Sequence, residues 1–225
     1  MQVEIIKGPG NSAARVILGP RESFTSEGGA MVAMTDDVAI ETTSHKKGGG
    51  SFRRGLKRLL SGESYFMNHY TASDRGGEVI LSTTLPGDMM AVNLNGVNLV
   101  AEGGSYVANA NGVDVDLGWQ GMKSFFAGEG LFWLNVKGAG LVVLSAYGTI
   151  YPIDVDGEWI VDTGHIVAFE ETLNFSISKA GKSWLSSFLG GEGFVCRFSG
   201  KGRVWCQSHH APAFGRLLGP MLRPR

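Results

Sequence analysis

Long apolar runs are missing from this chain. None approaches the ~18 residues that a membrane-spanning helix needs, so no such helix is expected. The opening stretch MQVEIIKGPG has no basic segment followed by an apolar one, so no secretory signal is expected either. Net charge is nearly absent, with 20 Lys and Arg against 21 Asp and Glu. A protein devoted to nucleic acid is usually more basic, so any such role must be local. Cysteine is scarce: Cys196 and Cys206 are the two present. A chain of 225 residues can bury a sizeable core without a disulfide, so two thiols decide little by themselves. Together these features describe a cytoplasmic protein with reduced thiols.

Catalytic signatures are missing too. GEGLF and GEGFV are not the G-x-S-x-G elbow that frames a nucleophilic serine. GKGRVW holds Gly-x-Gly, but no helix follows to receive a phosphate. His45, His69 and His165 have no His, Cys or acidic partner at ligand spacing. Cys206-x2-His209-His210 has a tolerable spacing, yet a structural zinc needs four ligands and these histidines stand in a Pro-rich tail. The chain is therefore read as non-enzymatic, with no catalytic residue, metal site or cofactor assigned.

Glycine, in contrast, is abundant. Its 34 residues are about twice the usual share and lie scattered between short apolar runs. That is the pattern of many tight turns between short strands, an all-β signal. Val113, Val115 and Leu117 alternate with Asp114, Asp116 and Gly118, as a half-buried strand does. Asn95-Gly96, Asn111-Gly112 and Asp156-Gly157 each carry a pair suited to a tight hairpin turn.

Three markers recur in one order. SEGGAMVA, AEGGSYVA and VDTGHIVA come first, from Ser26, Ala101 and Val161. LSGESYF, FAGEGLF and LGGEGFV follow, carrying Glu63, Glu129 and Glu192. GEVILS, GLVVLS and GRVWCQ close each set, from Gly77, Gly140 and Gly202. Ordered recurrence predicts three tandem β-sheet repeats, roughly 24–98, 99–158 and 159–208. They make one domain over 1–208, with a Pro-rich tail over 209–225. The leader from Ala14 to Phe24 is expected to supply strands that the third copy lacks. The repeats would then close with pseudo-threefold symmetry and few open sheet edges.

Each copy carries a short helical segment before its Gly-Glu turn, read as a lid on its sheet. In the first, Phe52, Leu56, Leu59 and Leu60 fall on one helical face. This lid is also basic. Lys46, Lys47, Arg53, Arg54, Lys57 and Arg58 put six positive charges into thirteen residues without an acid. They suit a solvated face, an anionic membrane surface or a protein partner and, less well, the phosphates of nucleic acid. Glu63, Glu129 and Glu192 are read as acceptors within their own turns or as partners of the next repeat. A threefold arrangement could instead gather them around a cation.

The repeated EGG turns, GEG segments and G-x-V-x-L-S strands resemble the bacterial and archaeal family related to the altered-inheritance-of-mitochondria proteins. The resemblance spans about Val3 to Ser208. It implies a fold like that of the trp RNA-binding attenuation protein, with TRAP-like modules of the double-stranded β-helix class. It implies a homo-oligomer and carries over no catalytic residue. Eukaryotic relatives are linked to the mitochondrial inner membrane, which adds a position peripheral to the inner face of the membrane as an expectation. The attenuation protein binds RNA through a basic ring rim. The three copies here differ most in charge and lack a repeated Lys/Arg rim, so the chain is expected to be an oligomeric scaffold or assembly factor. A peripheral membrane protein and an RNA-binding ring are the alternatives.

If the basic lid meets an anionic partner, replacing Arg53, Arg54, Lys57 and Arg58 with Gln should cost roughly 3–4 kcal/mol of that binding, at ~1 kcal/mol per charge. Vesicle and RNA binding, measured beside the melting temperature, check this. Unchanged binding to both leaves the segment a solvated lid.

Overall fold

A computed structural model of the chain describes residues 1–8, 11–44, 66–117, 133–179 and 194–222. The lid residues Lys46, Lys47, Phe52, Arg53, Arg54, Leu56, Lys57, Arg58, Leu59 and Leu60 lie outside the described residues, as do Glu63, Glu129 and Glu192.

The described chain is antiparallel β structure, with one short helix and single-turn 3-10 segments. Its strands are β1 (Gln2–Gly8), β2 (Asn11–Leu18), β3 (Ser23–Glu27), β4 (Met31–Met34), β5 (Val38–Ser44), β6 (Phe66–Ala72), β7 (Gly77–Leu81) and β8 (Met89–Asn95). They continue as β9 (Leu99–Glu102), β10 (Tyr106–Ala110), β11 (Val113–Leu117), β12 (Trp133–Ser145), β13 (Ile150–Asp162), β14 (Ile166–Glu170), β15 (Asn174–Lys179) and β16 (Phe194–Gln207). A four-stranded sheet runs β1-β2-β7-β4, and a twelve-stranded one follows the path β13-β16-β14-β9-β12-β10-β3-β6-β5. Strands β8, β11 and β15 pair off that path.

Strand β12 serves two neighbourhoods. Its first half pairs with β9 and β11, and its second half with β8 and β10. Between them Gly138 and Gly140 take φ of 117° and 141°. A Cβ on Gly138 would stand 2.2 Å from the Gly112 carbonyl oxygen. Strand β16 bends likewise at Gly200, which pairs with Gly157 of β13. A bend of this kind lets one strand pass from one packed sheet to another.

One pairing pattern occurs in three places. Met31, Tyr106 and Ile166 pair with Leu81, Leu144 and Cys206, and each ladder resumes at Ala33, Ala108 and Ala168 after a register shift. The shift leaves Val32, Val107 and Val167 as the extra residue of a bulge, which bends and twists its strand.

Several expectations change. The closing markers from Gly140 and Gly202 are not separate strands but the second halves of β12 and β16, where a glycine bend stands in place of a turn. Gly96, Gly112 and Gly157 do adopt positive φ, but none closes a hairpin. Neither β8 and β9 nor β10 and β11 pair together, and Asp156-Gly157 lies within β13. The leader does not complete the last copy. Strand β2 lies on β7, where Ala14 and Val16 face Leu81 and Val79. The last stretch needs no borrowed strand, since β13 pairs along β16 from Ile150 to Asp162. The tail holds the helix α1 (Ala211–Leu218), begun by a proline in its first turn.

Apolar clusters hold the sheets together, and neighbouring segments share them. One joins Phe24, Tyr70, Val79 and Leu81 to Val107 and Val143. Another joins Val100 and Trp133 to Phe169, Phe198 and Val204. Asn109, buried beside them, accepts from the Tyr106 hydroxyl and donates to the Val113 carbonyl at 2.8 Å, so its burial leaves no amide unsatisfied.

Phe24 and Tyr70 stack with centroids 4.6 Å apart and are both fully buried. Phe24→Ala should therefore destabilise the fold by about 3–5 kcal/mol, read from urea unfolding curves with the slope checked for change.

Candidate functional site

Three acidic turns join β3 to β4, β9 to β10 and β13 to β14, opening on Glu27, Glu102 and Asp162. Two are 3-10 turns, Gly103–Ser105 and Thr163–His165. The first instead places Gly29 at φ 92°, which a side chain would strain. A cavity of about 330 Å³ lies where they meet. Glu27, Glu102, Ser105, Thr163 and Gln207 are in its wall. Its size falls at the low end of small-molecule sites, which run roughly 300–1,000 Å³.

Several polar groups in and beside the wall bond to the turns and to the strands next to them. The Ser105 hydroxyl donates to the Glu102 carboxylate at 3.4 Å. Burial pushes the Glu102 carboxyl above its ordinary range, against the opposing help of the Gly104 and Ser105 N–H groups and the Ser105 hydroxyl. Asp162 accepts from the Gly164 N–H at 2.8 Å, capping its own turn. Thr163 donates to the Phe194 carbonyl at 3.0 Å. The Gln207 amide donates to the Gly164 carbonyl at 2.9 Å and accepts from the Tyr147 N–H at 2.8 Å. These bonds lock the junction rather than aim donors at a guest.

The Cys-His spacing of the tail does not converge. Cys206 is buried in the cluster with Ile166 and Phe169, while His209 packs on Tyr147 at 5.1 Å and His210 on His165 at 5.7 Å. Among the described residues no group of three or more His, Cys, Asp or Glu could hold a metal ion. Burial pushes the Cys196 thiol up to about 12, helped by Asp162, and the Cys206 thiol up to about 11. Both stay protonated at neutral pH and are poor nucleophiles. The aligned EGG, EGG and DTG segments already hinted at the junction through their recurring acid, although not at a cavity.

The surface is the other distinctive feature. Large apolar side chains stand exposed on β4 (Met31, Val32, Met34), on β13 (Trp159, Ile160) and along the tail (Leu217, Met221, Leu222). Among the described residues no helix is long and apolar enough to cross a membrane.

A model of the mitochondrial biogenesis AIM24 family matches residues 3–209. The chain belongs to the AIM24 family. The crystal structure of a Streptococcus pyogenes protein is similar to this AIM24 chain, with 25% identity and a TM-score of 0.81. The match covers 98% of this chain and 99% of the streptococcal one. No curated protein matches the chain.

The raised Glu102 carboxyl sets a pH dependence. Below 4.5 both folded and unfolded forms hold the proton. As pH rises above that value the unfolded state releases it first, so stability should fall until the folded carboxyl also ionises. Glu22 and Glu171, both lowered by their hydrogen bonds, act below 4.5 with the opposite sign. Glu102→Gln should remove the decline above pH 4.5 and leave the acid limb intact, as urea unfolding across pH would read.

Proposed function

We propose that this AIM24-family chain is a non-enzymatic scaffold that works as an oligomer. On this reading it is built from three copies of one β unit of the double-stranded β-helix class. The three recurrences of the bulged pairing before Ala33, Ala108 and Ala168 support triplication. One observation carries the scaffold reading: large apolar residues are exposed on several strands, β4 and β13 among them, and on the tail, while Ser105, Thr163 and Gln207 of the cavity wall are bonded to neighbouring groups of the chain. A protein that leaves large apolar side chains exposed outside its buried clusters is suited to association. The tail helix, with Phe214, Leu217 and Leu218 exposed and no residue buried, docks on a neighbouring subunit in this arrangement.

Light scattering at micromolar concentration should give a mass that is a multiple of the 24.0 kDa chain. A 24.0 kDa monomer refutes the oligomer.

A further inference from the structure

Two joints inside the chain are made the same way. Strand β10 lies on β3 with Ala108 opposite Ser26, Asn109 opposite Thr25 and Ala110 opposite Phe24. Strand β14 lies on β9 with Ala168 opposite Ala101, Phe169 opposite Val100 and Glu170 opposite Leu99. In both, the residue just after the bulge meets the residue just before the acidic turn.

The halves of a third joint exist and are not joined. Strand β4 has the bulge, with Ala33 on the same inner register as Ala108 and Ala168. Strand β13 has the partner edge. Val161 precedes Asp162, and its pairing with Cys196 matches that of Ser26 with Asn68 and of Ala101 with Leu134. Among the described residues β4 ends one sheet path and β13 ends the other.

Exposure follows the missing joint at the bulge and at the position across it. The bulge residue is 0% exposed at Val107 and Val167 but 61% at Val32. Across the joint, Phe24 and Leu99 are each 1% exposed, whereas Trp159 in the equivalent place is 46%. The same chemistry is thus buried where a partner strand is present and left wet where it is not. An open, apolar strand edge is a template for another strand.

We infer that a second copy of this chain fills each edge, its β13 seating on β4 with Ala33 opposite Val161, Met34 opposite Ile160 and Thr35 opposite Trp159. Every copy carries one edge of each kind, so the contact is head-to-tail and is satisfied throughout when the copies close into a ring. The joint continues the backbone ladder and buries Val32, Trp159 and Ile160 along with it. This rests on the oligomeric scaffold reading and names the surface that makes the oligomer.

Met34→Cys and Ile160→Cys, prepared as separate proteins, provide the test. Directly opposed residues in an antiparallel pair come within disulfide reach. Mixing the two under mild oxidation should give a linked species of twice the 24.0 kDa chain, absent from either protein alone. No link in the mixture overturns the joint, as does a double variant that links only within its own chain. Ile160→Lys guards against variants that fail to fold. With an unchanged circular dichroism spectrum it should lower the assembly to 24.0 kDa. An assembly that keeps its mass sinks this joint and leaves the scaffold reading standing; a monomeric parent protein sinks both.

Discussion

A long strand that belongs to two sheets must bend, and the rest of this architecture hangs on that constraint. In β12 the bend falls at Gly138 and Gly140, and in the β13–β16 ladder at Gly157 opposite Gly200. Positive φ makes the bend, and the Gly112 carbonyl leaves no room for a Cβ at Gly138. Where the first part of the chain turns the same corner, it breaks the strand instead. Strands β6 and β7 are separated by a turn ending at Gly76, φ 77°.

The bends decide what meets what. Because β12 changes neighbours halfway, β9 and β11 gather on one half while β8 and β10 gather on the other. The outer edges of β9 and β3 are then free to take the next bulged strand, and the apolar clusters form across those joints. The acidic turns converge where the joints meet. The Asp162 side chain satisfies the Gly164 N–H of its turn, and Glu102 bears the desolvation cost of that place. A polar junction so engaged is a structural device, which turns attention from the cavity to the outer strands.

The streptococcal relative keeps this fold with 25% identity. Such divergence is tolerated because the architecture asks for a pattern rather than for particular side chains. It needs alternation on half-buried strands and a residue free to bend at each corner. Volume-conserving exchanges inside apolar clusters cost little by comparison.

The amino-acid sequence by itself determined the β class, the turn glycines and the recurrence of the three markers. Each of these is local: alternation over five residues, a dipeptide that prefers positive φ, a short segment repeated in order. Family membership was legible for the same reason, since the EGG and G-x-V-x-L-S segments are contiguous. Tertiary structure alone decided pairing. Asn95-Gly96 reads as a hairpin, yet β8 and β9 both turn to β12, because the longer apolar surface of that strand outweighs a favourable turn. The leader reads as a spare strand for the end of the chain, yet it lies on β7, where Ala14 and Val16 meet Leu81 and Val79. The junction cavity and the wet edges of β4 and β13 were equally hidden. Val32 and Val107 are the same residue in matching segments, and only the presence or absence of a neighbouring strand makes one exposed and the other buried.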